Sequence, residues 1–406
     1  MPFEGDNMMG VKRTNRSAAL RILHERGSMS RKRLSESIKL TPAAITKIVG
    51  EMIAEGLLTE GSMIPGSGVG RREVMVELNS RARAAMGIFI NLRQALVSAI
   101  WLDGSVIFSE SFSLPPKAPA EESVQMLCAR LTELAAEKGL AREQVLGVGV
   151  AMRGVTSSDG RVVRNSFGAL ADRDYPICER VEALTGFPCL MSNNVRALFA
   201  AQMFLSHEPE VGSQFFLRCE AGIGASFSIG GRIWLGSSGQ CAEIGHIPVV
   251  RRGGKPCSCG KSGCLETIAS PGAILQDARG LFSEERTPVL WRIMHGRSPE
   301  EMTLGDVFEA ARSGDGELAV LVDRAAVTLA AALKGVIYTL DPGKIVLYGR
   351  MFENLYYLSK LIAEMREGVD SGHSVPIEKS RLNHKLEDRA AGLLVIEDFF
   401  DKGGLE

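Results

Sequence analysis

No apolar run in this 406-residue chain reaches the length of a bilayer span, which excludes a membrane-crossing helix. The opening residues, MPFEGDNMMG, lack the apolar core of an export signal, so the chain is expected in the cytoplasm. Without export, its eight cysteines read as reduced thiols and not as a disulfide scaffold. Repeats at a short fixed period and low-complexity tracts are also missing, which argues against solenoids and disordered tails. Net charge is nearly absent, at -1, but it is unevenly spread. Residues 1–80 hold twelve Lys and Arg against nine Asp and Glu, about +3, and the remainder holds 35 against 39, about -4. A basic first segment on a near-neutral chain points to an anionic partner at one end. Hydrophobic residues make up 45% and charged ones 23%, enough to bury a sizeable core. The length suits two or three domains.

The most informative stretch is Gln240 to Ala269, QCAEIGHIPVVRRGGKPCSCGKSGCLETIA. Cys257, Cys259 and Cys264 fall within eight residues, with Gly260 and Gly263 between the last two. A chain folding round an ion needs tight turns, and glycine allows them. His246 lies eleven residues before Cys257. Three thiolates and one imidazole match a closed, tetrahedral zinc site with no open position for catalysis. Three unrelated buried thiols are the competing reading. Glu243 and Glu266 flank these ligands, and a zinc knot would hold both near one point. Carboxylates accept strong directional hydrogen bonds, which suits gripping sugar hydroxyls. Cys128, Cys178, Cys189, Cys219 and Cys241 read as buried thiols, and Trp101, Trp234 and Trp291 as core.

At the other end, residues 1–13 read as a frayed arm. A helix from Asn15 ends at Gly27, with Arg16, Arg21 and Arg26 between its apolar residues, and His24 reads as a surface residue, as does His207. Ser30 caps a second helix, SRKRLSESI. Thr41 caps a third, Pro42 to Glu55, with Pro42 in the first helical position. Ile45, Ile48, Val49, Met52 and Ile53 share one face; Ala43, Thr46, Lys47 and Gly50 share the opposite one, which is small, polar or basic. LLTEG and EVMVEL are then strand-like runs either side of a Gly-rich tip carrying Arg71 and Arg72. Three helices and a hairpin describe a winged helix-turn-helix, whose third helix enters the major groove of duplex DNA. Thr41, Ala43, Ala44, Thr46 and Lys47 would lie near bases or phosphates, with Arg71 and Arg72 in the wing. A small helical bundle with a solvated charged face is the alternative. From Ala84 onward, strands alternate with helices, which indicates an α/β domain, here of two similar lobes.

EIGH followed by CSCGKSGCLETIAS resembles the signature of the ROK family of repressors, open reading frames and sugar kinases. The N-terminal helices and wing resemble those of its repressor branch, and the likeness covers nearly the whole chain. It implies an actin-like ATPase fold of two α/β lobes behind a winged helix-turn-helix. The implied division is 1–80, then 81–195 with about 385–406, then 196–384. It also implies a sugar in a cleft and a homodimer or tetramer. The family's sugar-contacting Glu and His match Glu243 and His246, its later Glu matches Glu266, and its zinc ligands match His246, Cys257, Cys259 and Cys264. Its Asn-Asp pair matches Asn193 and Asn194, and Asn165 is a further candidate sugar contact. Family kinases use that Asp as general base, and the neutral amide of Asn194 has no basic pKa for the task. Their phosphate turn, Asp-x-Gly-Gly-Thr, aligns with Phe89-Ile90-Asn91-Leu92-Arg93, where both glycines are gone. Ala221-Gly222-Ile223-Gly224-Ala225 reads as a tight hairpin more readily than as a second phosphate turn.

The expectation is therefore a non-enzymatic, sugar-responsive regulator, a repressor of carbohydrate genes. Its expected partners are a duplex DNA operator and a sugar or sugar-phosphate effector. The rivals are a sugar kinase with an appended DNA-binding domain and a regulator controlled by a protein partner docking on the second lobe.

Overall fold

Ser30 and Thr41 begin two of the first three helices by accepting hydrogen bonds from the exposed turn amides at Arg33 and Ala44. The structure is a computed structural model and describes residues 8–64, 73–157, 159–207, 212–367, 374–382 and 386–405. Arg71 and Arg72 lie outside the described residues. The N-terminal segment consists of α1 (Met8–Arg26), β1 (Met29–Ser30), α2 (Arg31–Ile38), α3 (Pro42–Ala54), β2 (Leu58–Ile64) and β3 (Glu73–Leu78). The three strands form an antiparallel sheet in the order β1-β3-β2. Helix α1 starts at Met8, inside the expected arm, because its added turns dock: Lys12 pairs with Glu51 at 2.7 Å and Arg13 donates to the Asp401 carbonyl at 3.0 Å.

Two further residues of α1 make contacts that the sequence does not show, and His24 is not the surface residue expected. Arg16 is fully buried, donating to the Gly403 carbonyl at 2.7 Å and pairing with the Glu55 carboxylate. A buried guanidinium needs such partners, and they come from the end of α3 and from the C-terminal turn. His24 is half-buried and stacked on Phe204, with ring centroids 3.9 Å apart.

Next come β4 (Ala84–Ile90), β5 (Gln94–Trp101), β6 (Val106–Ser113), α4 (Ala120–Glu137), β7 (Val145–Met152), β8 (Val155–Thr156), β9 (Val163–Asn165), α5 (Ile177–Thr185), β10 (Cys189–Asn193) and α6 (Asn194–Ser206). The main sheet has the order β10-β7-β4-β5-β6, with β4 to β6 an antiparallel meander and β7 and β10 joining in parallel. A second sheet follows from β11 (Ser213–Cys219), β12 (Ile223–Ile229) and β13 (Arg232–Ile233). Helices α7 (Glu266–Ala269), α8 (Pro271–Leu281), α9 (Pro288–Met294), α10 (Leu304–Arg312) and α11 (Gly316–Leu340) precede β14 (Lys344–Tyr348), α12 (Leu355–Arg366) and β15 (Ile377–Lys379). Its order is β13-β12-β11-β14-β15: again a three-strand meander with two parallel additions on its first strand. The same topology thus occurs twice, as an actin-like fold requires.

The chain ends in α13 (Glu387–Asp401), which returns to the first sheet. A Cβ on Gly149 would lie 1.7 Å from the Ala391 carbonyl oxygen, and one on Gly87 2.8 Å from the Gly392 nitrogen. Only glycine permits so close a helix-to-sheet approach. The compact units are Met1–His207 with Lys385–Glu406, and Glu208–His384. The boundary expected at 196 falls inside α6, which belongs with the first unit, so the division comes at 208. Each unit has its own apolar core. Cys128, Cys178, Cys189 and Cys219 are buried, but Trp234 and Trp291 are not core: they are 56% and 45% exposed. No helix among the described residues is long and apolar enough to cross a membrane.

Candidate metal and sugar site

The cysteines meet because two short stretches of the second unit pair with each other. Val249 donates to the Gly263 carbonyl at 2.8 Å, Leu265 donates to Ile247 at 2.9 Å, and Pro248 bridges Cys264, which brings His246 beside Cys264. Cys257 donates to the Lys261 carbonyl at 2.8 Å and Gly260 to Cys257 at 3.0 Å, closing a tight turn around Cys259. Gly260 has φ +88 and Gly263 φ +75, and a Cβ on Gly263 would lie 2.3 Å from the Val250 carbonyl oxygen. These two positions therefore demand glycine.

The ligand atoms of His246, Cys257, Cys259 and Cys264 all lie within 4.8 Å of one another. Cys259 Sγ and Cys264 Sγ are 3.7 Å apart, and Cys257 Sγ and His246 Nδ1 are 3.5 Å apart. Tetrahedral zinc with bonds of about 2.3 Å to sulfur and about 2.0–2.1 Å to nitrogen separates its ligands by roughly 3.8 and 3.5 Å. Donor set and spacing both fit. Burial works against ionising Cys259, but the Lys261 backbone N–H and the Cys257 and Cys264 thiols hold it below its ordinary value. Burial, and then the Cys259 and Cys257 thiols, push Cys264 up to about 12.

Both flanking glutamates are tied to this region, Glu243 through its main chain and Glu266 through its carboxylate. Glu243 is exposed and its carbonyl accepts from His246 N at 3.1 Å, opening the 3₁₀ turn Ile244–His246. That turn lies directly on the β11–β12 hairpin: a Cβ on Gly245 would be 2.1 Å from the Ile223 carbonyl oxygen. Glu266 opens α7, and its Oε2 accepts from Ile223 N at 3.0 Å. The carboxylate sits over Gly222, where a Cβ would be only 2.2 Å from Oε2. Cys219 and Ile223 face each other across the hairpin, so Gly222 serves a tight turn roofed by a carboxylate. The spacing of the sequence carried no signal of this contact.

The asparagines belong to the first unit. Asn193 caps α6: its Oδ1 accepts from Val195 N at 2.9 Å and its Nδ2 donates to the Gly154 carbonyl at 2.9 Å. Asn194 is 2% exposed and donates to Asn91 Oδ1 at 3.1 Å. The two positions that depart from the kinase pattern are thus bonded to each other, a pairing across 103 residues. Phe89, where the kinase turn has Asp, is buried in β4. Asn165 is partly committed, its Oδ1 accepting from Phe167 N at 2.9 Å.

On α3, Thr41, Ala43, Thr46 and Lys47 are exposed and Ala44 is half-buried, whereas Ile45, Ile48, Val49 and Met52 are buried. The Thr46 hydroxyl donates to the Pro42 carbonyl at 2.7 Å, so its oxygen presents as an acceptor.

The profile of the ROK family matches residues 95–394. NagC of Escherichia coli, a DNA-binding transcriptional dual regulator, is 26% identical over 346 residues, covering 84% of this chain and 82% of its own. The glucokinase of Halalkalibacterium halodurans is 29% identical over 211 residues, 52% of this chain and 62% of its own. The crystal structure of a ROK family transcriptional regulator, a homologue of E. coli Mlc, superposes with a TM-score of 0.78 at 22% identity. It covers 97% of this chain and 98% of its own, and so shares the fold.

Proposed function

We propose, since the chain belongs to the ROK family, that it is a sugar-responsive DNA-binding transcription regulator without kinase activity. The observation that carries this reading is the amide pair Asn91–Asn194. A kinase needs a carboxylate base and a glycine phosphate turn at those two positions. Here two neutral carboxamides hold each other, and neither has a basic pKa near neutrality. The carboxylates suited to hydroxyl recognition, Glu243 and Glu266, remain beside His246.

The N-terminal segment supplies the DNA reader, a winged helix-turn-helix with α3 in the major groove. Ala43, Ala44, Thr46 and Lys47 would face bases or phosphates there, with Thr41 at the cap and Arg71 and Arg72 in the wing. A homodimer or tetramer would place two readers on half-sites. Zinc held by His246, Cys257, Cys259 and Cys264 would supply a structural tie and no open position for chemistry. Glu266 is already fixed by Ile223 N, so little ordering remains to be done when a hydroxyl donates to it. The effector acts by binding one conformation better than another, which is the only way a ligand shifts an equilibrium.

The test is fluorescence anisotropy on DNA from upstream of the chain's own gene, with glucose, xylose, N-acetylglucosamine and N-acetylglucosamine 6-phosphate added in turn. Tight binding shifted by one of these supports the regulator. The glucokinase relative keeps the kinase as second reading. Robust ADP release with any of these sugars would overturn the first.

A further inference from the structure

Helix α6 joins two places that the proposed function treats separately. Its thirteen residues span about 20 Å at 1.5 Å per residue. Its N-terminal end is Asn193 and Asn194, with side chains bonded to Gly154 and Asn91. The last turn carries Phe204, and His207 follows as C-cap. There α6 meets α1 of the reader segment. The ring of His24 stacks on Phe204 at 3.9 Å, and its Nε2–H donates to the Phe204 carbonyl at 3.0 Å. Phe400 of α13 stands edge-on to the same imidazole at 6.0 Å and 5.7 Å from Phe204. Between its ends α6 is rigidly held, with Ala197, Leu198, Phe199 and Ala201 fully buried. A well-packed helix of this kind moves as one body, so a displacement at one end is delivered to the other.

We propose that α6 is a strut, and that His24 is the positioning residue through which the state of the Asn193–Asn194 end reaches α1 and the DNA-reading segment. The inference rests on the regulator reading for its purpose, but its geometry does not need that reading. His24 touches no proposed ligand. It acts by a ring stack and one hydrogen bond to a helix end, which places α1 without binding anything itself. The reader segment is also held by Arg13 and Arg16, which meet the Asp401 and Gly403 carbonyls at the chain's C-terminal turn. Arg21 also pairs with Glu397 and Asp401 of α13, at 2.8 and 2.9 Å, so loss of His24 loosens one attachment among several and leaves the segment docked.

The primary experiment is hydrogen exchange of the full chain, following α1 amides Ala18 to His24. Asn91→Ala cuts the amide pair without burying a charge, and Asn194→Asp serves as a second perturbation. Either is expected to change α1 exchange at least threefold, and His24→Ala is expected to reduce that response below 1.5-fold. His24→Gln keeps an N–H donor for Phe204 O and is expected to restore part of it. Unchanged α1 exchange in both asparagine variants, or an equal response with and without His24, would overturn the strut. In a second arm, His24→Ala should keep upstream-DNA binding and calorimetric N-acetylglucosamine binding within twofold. The sugar-driven shift in DNA affinity should fall to within twofold of none. If wild-type protein binds DNA but ignores all four sugars, the regulator reading fails while the exchange arm still decides the strut.

Discussion

Two glycines, Gly222 in the β11–β12 hairpin and Gly245 in the 3₁₀ turn packed on it, separate the sugar grip from the metal tie. In Gly222→Ala the new Cβ would lie 2.2 Å from Glu266 Oε2, and in Gly245→Ala 2.1 Å from the Ile223 carbonyl oxygen. The distances are nearly equal, but the obstacles differ. Glu266 Oε2 ends a flexible side chain and can swing aside by the ~1.3 Å needed to reach ordinary contact of about 3.5 Å. In doing so it abandons Ile223 N. A hydrogen bond to a charged group contributes about 1.5–3 kcal/mol, and Glu266 is only half-buried, so about 1.5 kcal/mol is the expected loss. At roughly 2–4 °C per kcal/mol, the unit should melt about 3–6 °C lower. Sugar affinity should fall about 10-fold or more, because 1.4 kcal/mol of misplaced hydrogen bonding is tenfold in Kd. Zinc content should not change. The Ile223 carbonyl belongs to β12 and cannot swing, so Gly245→Ala should cost about 3 kcal/mol or more. It should also displace His246 and lower the zinc content. The assays are metal analysis, thermal melting and calorimetry with the same four sugars. Unchanged sugar affinity in Gly222→Ala, or wild-type stability in Gly245→Ala, would refute the interlocked site.

Cys259→Ser should lose zinc, melting temperature and sugar response together; unchanged metal content would remove Cys259 from the ligand set. Asn194→Asp should show no ADP release with any sugar in a coupled assay, because Phe89, Asn91 and Leu92 still replace the phosphate turn. Turnover in that variant would mean that the amide alone silences a kinase. For His24, burial against Phe204 lowers the pKa from 6.5 to about 4, with the nearby His207 adding to the effect. Between those values the unfolded chain holds the extra proton and stability rises with pH. The contribution is complete above about 6.5 and is lost progressively toward 4, for about 3 kcal/mol in all. The difference in urea stability between wild type and His24→Gln should widen over that window as pH rises, and parallel curves would refute it.

What was legible in the sequence is what neighbouring residues decide. Ser30, Thr41 and Pro42 mark helix starts because a cap acts within one turn. The Cys-Ser-Cys-Gly turn was legible because Gly260 needs φ +88 next to its ligands. The hairpin at Gly222 follows from turn residues, and the asymmetry of charge from counting. Tertiary structure decided the rest, through pairs that no local pattern encodes. Arg16 stands between apolar helix residues in the sequence, with nothing to show that Glu55 and Gly403 close over it. His24 reads as solvated until Phe204 and Phe400 box it. Trp234 and Trp291 read as core by size, yet they stay exposed because the second unit's core is filled from α8 to α12 and the central strands. Asn91 and Asn194 are two unrelated departures in the sequence and one hydrogen-bonded pair in the fold, because parallel strands β4 and β7, with β10 beside them, bring their chain ends together. Short-range stereochemistry determines the elements, and the contacts between distant residues determine what those elements hold in place.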